Sequence, residues 1–111
     1  QAYSKKLCHE NLELPTTPPE CLSAFHLFIV RLKEGGRRSE IFQNLRESGI
    51  GVNVHYIPVH LQPYYKALGF KQGDFPIAEN YYARALSIPI FPSLTSEEQN
   101  FVVNTLNKQF V

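Results

Sequence analysis

The sequence predicts a small α/β (α+β) domain in which a largely antiparallel sheet packs with helices. Three features predict it: helix-period and strand-period apolar patterns alternate along the chain, prolines and glycines separate the segments, and a helix with an explicit start signal closes the sequence. At 111 residues, with 43% hydrophobic and 13% aromatic residues, the chain is long enough for one core and too short for two. Residues 1–111 therefore read as a single domain.

Ala2, Tyr3 and Leu7 recur at helical spacing with no capping residue before them, so the chain opens on what reads as the tail of a helix begun upstream. A short strand is expected over residues 11–14, ended by Pro15, Pro18 and Pro19, which can neither continue a helix nor sit in a central strand. Residues 24–32 then predict a strand that is apolar on both faces, with Phe25, Leu27 and Ile29 pointing one way and Phe28, Val30 and Leu32 the other. Gly35 and Gly36 break it. Ile41, Phe42 and Leu45 form one apolar stripe of a helix that stops at Gly49.

Residues 52–56 alternate as a strand, with Val52, Val54 and Tyr56 on one face and Asn53 and His55 on the other. Pro58 and Pro63 bracket an extended segment whose backbone groups at Val59, His60, Leu61 and Gln62 are expected to be free for a ligand, and a helical turn follows over 64–68. Asp74 is placed to cap a helix whose buried stripe would be Ile77, Ala78, Tyr81 and Ala85. Residues 87–90 read as a last short strand. Thr95 and Glu98 form a capping box, after which Val102, Leu106 and Phe110 share one helical face.

Composition excludes several functions. The net charge of +1, with both signs interleaved, provides no field for nucleic acid or an anionic membrane, and the strand at 25–32 lacks the basic-glycine-aromatic signature of an RNA-recognition motif. No apolar run approaches the roughly twenty residues of a membrane span, and the start carries no export signal, which predicts a cytoplasmic protein. Cys8 and Cys21 form no disulfide framework and read as buried thiols. A zinc pair of His55 and His60 is disfavoured, because no further ligand cluster accompanies them.

The densest polar and aromatic cluster runs from Gly51 to Tyr65 and holds two imidazoles, an amide and three phenols. It is open to two accounts: a binding site, or tyrosines at the core edge with histidines satisfying loop carbonyls. The motif Val54-His55-Tyr56-Ile57-Pro58-Val59-His60-Leu61-Gln62-Pro63-Tyr64-Tyr65 resembles the corresponding stretch of the DegT/DnrJ aminotransferases. Residues 24–32, Phe75-Pro76-Ile77-Ala78-Glu79, the segment 86–92 and the Thr95 capping box follow in that family's order, so the resemblance covers nearly the whole chain.

The resemblance implies the C-terminal small domain of a fold-type I aminotransferase. In such an enzyme a large domain of the same polypeptide holds pyridoxal phosphate on a lysine, and the small domain closes over a nucleotide sugar. The parent would be a homodimer, with no cofactor expected on this chain alone. None of its six lysines lies in a segment resembling the cofactor-lysine motif. Within the family the likeness is to transaminases acting on UDP-linked 4-keto-6-deoxy-N-acetylhexosamines in the pseudaminic acid pathway. The resemblance places His60, Leu61, Gln62 and Pro63 against the substrate, with His55 and Tyr56 on the same wall. The alternative is a stand-alone small-molecule-binding or regulatory module.

Overall fold

Three strands carry the domain. In the computed structural model, which describes residues 2–7 and 9–111, β1 (Leu12–Glu13), β2 (Phe28–Leu32) and β3 (Ala85–Ile88) form one antiparallel sheet in that order. Leu12 pairs with Leu32, Phe28 with Ile88 and Val30 with Leu86. Alternate residues of β2 fall on opposite faces, so Phe28, Val30 and Leu32 are buried while Ile29 and Arg31 are only half so.

The buried face meets three helices. Helix α1 (Ala2–Lys6) contributes Tyr3, α2 (Arg38–Glu47) contributes Ile41 and Leu45, and α5 (Ser96–Lys108) contributes Val102, Val103 and Leu106. Gly49 adopts φ +83 just beyond α2, the left-handed stop that its sequence position predicts. Thr95 accepts from the Glu98 amide at 3.1 Å while Glu98 accepts from the Thr95 amide at 2.9 Å, so the expected capping box is present in full. The Tyr3 hydroxyl donates to the Pro89 carbonyl at 2.7 Å, and burial pushes its pKa up to about 12. Among the described residues, no helix is long and apolar enough to cross a membrane.

Other expectations need correction. The strand predicted at 24–32 begins only at Phe28, because Phe25 takes φ +47, a left-handed conformation that extended pairing does not allow. The strand predicted at 52–56 reduces to a single bridge between Asn53 and Ser87. On that antiparallel register Tyr56 would face Arg84, the last residue of helix α4 (Pro76–Arg84), so a ladder could not extend over the whole predicted length. Val52 is buried and Val54 half-buried, in keeping with the alternation, but Tyr56 leaves it and is 74% exposed.

The last strand is Ala85–Ile88, two residues earlier than expected, since Pro89 has no amide to donate. Asp74 does not cap α4; its carboxylate turns back to the Lys71 amide at 2.8 Å and the Lys71 ammonium at 3.0 Å. Helix α4 has no buried residue, and Ile77, expected in the core, is 88% exposed. The helix is held instead by Tyr81 beneath the Arg31 guanidinium and by Arg38, which donates to the Tyr82 carbonyl at 2.8 Å. Cys21 is exposed rather than buried, and Cys8 lies outside the described residues.

Candidate functional site

The segment from Asn53 to Pro63 leaves the edge of β3 and crosses towards α4. Asn53 and Ser87 exchange backbone hydrogen bonds at 3.2 and 2.9 Å, which fixes the start of the segment. Two residues on, His55 Nε2 lies 2.8 Å from Ser87 Oγ, whose hydroxyl donates to the Asn53 carbonyl at 3.3 Å. With the hydroxyl proton directed there, His55 donates from Nε2; its Nδ1 is buried, with no hydrogen-bond partner among the described residues.

Pro58 is buried, and a 3₁₀ turn follows at Val59–Leu61. The Leu61 amide donates to Pro58 and the Gln62 amide to Val59, while the Gln62 carbonyl accepts from Lys66 in helix α3 (Pro63–Ala67). The Leu61 and Gln62 amides and the Val59 and Gln62 carbonyls are therefore engaged locally, contrary to the expectation that the prolines leave them free. A residue that must turn can satisfy its neighbours without a sheet.

His60 points inward and is 6% exposed. Its Nε2 lies 3.1 Å from Glu79 Oε2, and its ring meets Phe75 edge-on at 4.8 Å between centroids. Glu79 also accepts from the Gly73 amide at 2.8 and 3.0 Å and from the Phe75 amide at 3.1 Å. The Gly73 amide above all holds this carboxyl below the usual glutamate value of 4.5, with Phe75 and His60 acting the same way and desolvation opposing them.

The six residues predicted for the site do not converge on one cavity. His55 lines a cleft of about 700 Å³ with Asn53, Ser87, Phe91 and Phe101. Tyr56 lines a separate apolar groove of about 630 Å³ with Pro58, Phe75, Ile77 and Tyr81. Leu61 is half-buried beside Glu79 and Tyr82, and Gln62 and Pro63 are exposed. Sequence reasoning passed over Ser87 and Glu79 as site residues. Both stand inside segments that carry the family resemblance, but their partners lie 32 and 19 residues away, beyond any local spacing rule. Among the described residues, no three His, Cys, Asp or Glu side chains gather where they could hold a metal.

The sequence profile of the DegT/DnrJ/EryC1/StrS aminotransferase family matches residues 1–107. The chain belongs to that family. The spore coat polysaccharide biosynthesis protein SpsC of Bacillus subtilis is 43% identical over 88 residues, which is 75% of this chain and 23% of that protein. A dTDP-3-amino-3,6-dideoxy-α-D-galactopyranose transaminase of Aneurinibacillus thermoaerophilus is 35% identical over 108 residues, covering 96% of this chain and 28% of the relative. The solved PLP form of Spr1654, a candidate sugar aminotransferase of Streptococcus pneumoniae, superposes with a TM-score of 0.88 at 28% identity, over 96% of this chain and 28% of that one.

This DegT/DnrJ chain thus spans about a quarter of the length of the curated relatives it matches. The family implies pyridoxal phosphate, which needs an amine held at the bottom of a pocket. The lysines here do not fit that role: all six are exposed, and none lines either cleft. Lys6 and Lys33 reach Asn100 and the His9 carbonyl, and Lys71 reaches Asp74.

Proposed function

We propose that this chain is the substrate-covering small domain of a longer pyridoxal-phosphate-dependent aminotransferase. The enzyme moves an amino group from an amino acid, glutamate, to a nucleotide-linked keto-6-deoxy sugar. The observation that carries this reading is a family match along nearly the whole chain that nonetheless spans a quarter of its relatives, joined to the absence of a sheltered lysine from both clefts. A large domain of the same polypeptide supplies the lysine and the cofactor, in a homodimeric cytoplasmic parent.

The sugar is a UDP-linked 4-keto-6-deoxy-N-acetylhexosamine, a choice supported by the wording of residues 53–70 and 73–82. Tyr56, Leu61, Gln62 and Pro63 form the wall that faces it, and His55 approaches it from the neighbouring cleft. His60, being turned inward onto Glu79, contributes by holding that wall rather than by contact.

Steady-state kinetics of the longer enzyme, with sugar and amino donor varied separately, test the site. Gln62→Ala and His60→Ala are expected to raise KM for the nucleotide sugar about three- to tenfold, the worth of one hydrogen bond, and to leave KM for the donor and the cofactor absorbance unchanged. Unchanged sugar KM in both variants would remove the segment from the site.

A further inference from the structure

Residues 57–63 have little else to hold them in place. Prolines at 58 and 63 keep the segment out of the sheet, so it lacks ladder bonds, and the 3₁₀ turn satisfies only its own backbone. Besides buried Pro58 and half-buried Leu61, the polar attachment to the rest of the domain among the described residues is the His60 side chain, and the partner of that side chain is Glu79.

Glu79 stands one turn inside α4 and reaches back over the helix start. Phe75 at the N-cap has no side-chain oxygen to offer, and Pro76 has no amide to satisfy. The carboxylate therefore takes the Gly73 and Phe75 amides together with His60 Nε2, and so ties the 71–75 turn, the helix start and the 3₁₀ turn to one point. Phe75, fixed by that bond, also packs on His60 and lines the groove that holds Tyr56 and Pro58.

We propose that Glu79 is the positioning residue of the substrate-facing wall, acting through His60 on Leu61, Gln62 and Pro63 and through Phe75 on the groove beside Tyr56. The inference rests on the reading of that wall given above. Glu79 itself touches no substrate. Its need for charge is geometric: four acceptor contacts from three donors converge on two oxygens, and an amide in its place offers one oxygen and sets N–H against N–H.

Hydrogen exchange resolved by residue, comparing wild type with E79Q and H60Q, separates this role from plain helix capping. E79Q is expected to speed exchange at both 59–63 and 73–75, whereas H60Q speeds it at 59–63 alone and leaves the helix start intact. In the longer enzyme both variants raise sugar KM about tenfold, the worth of one charged hydrogen bond, with kcat and donor KM unmoved. Exchange at 59–63 unchanged in both variants would overturn the inference and leave the reading of the wall standing. Loosened 59–63 with unchanged sugar KM would overturn the reading of the wall, and this role of Glu79 with it.

Discussion

Phe28→Ala is expected to lower stability by about 3–5 kcal/mol, a large share of the roughly 5–15 kcal/mol that holds a native domain together. Phe28 is fully buried at the start of β2, paired with Ile88 of β3. Its ring lies 5.1 Å from that of Tyr3 and 5.8 Å from that of Phe25, so it joins helix α1 and the turn before β2 to the sheet. Truncation opens a cavity against the Tyr3 phenol, whose hydroxyl remains committed to Pro89, so the helix cannot slide in to fill the space. The control is Ile29→Ala, on the half-covered face, for which a loss of about 1–2 kcal/mol is expected. Urea midpoints at constant slope measure both. Equal losses would show that the sheet has no privileged face.

The second large effect is an absence of activity. Mixed with pyridoxal phosphate, glutamate and a UDP-linked 4-keto-6-deoxy sugar, the 111-residue chain is expected to form amino sugar no faster than the cofactor-only blank. Enzymes accelerate such reactions by a factor of at least about a million, so even a weak catalyst would stand clear of that blank. The physical ground is the exposure of every lysine: a solvated amine at the surface lacks the sheltered, fixed geometry that covalent catalysis needs. Turnover above the blank, abolished by one substitution in this chain, would mean that a complete catalyst has been mistaken for a part of one.

What was legible in the sequence was what local chemistry decides. The Thr95 and Glu98 cap closes over three residues, the Gly49 stop needs one dihedral, and the inner face of β2 follows period two. What was not legible depended on distant partners. Nothing near Tyr56 announces that its place in the register falls opposite the end of α4. Asp74 has the type and position of a cap, yet its carboxylate turns back to Lys71, and Glu79 takes the Gly73 and Phe75 amides together with His60. Ile77 matched a buried stripe, but α4 meets the sheet through Tyr81 under Arg31 and through Arg84 on the Leu32 carbonyl and Glu13, and leaves the Ile77 side bare. For the candidate site, residue types marked the right segment and the family resemblance named its chemistry. The inward turn of His60 and the split of His55 and Tyr56 between two clefts are tertiary facts.

The central claim is that residues 55–63 face a nucleotide sugar. Nuclear magnetic resonance titration of the chain with UDP-N-acetylglucosamine tests it most directly, because perturbed amides and rings report contact even when binding is weak. The expected result is that the largest shifts fall on Tyr56, Leu61 and Gln62, with smaller ones at His55 and little change along the Thr95 helix. Shifts centred on Phe91 and Phe101, with residues 55–63 unmoved at saturation, would contradict the account.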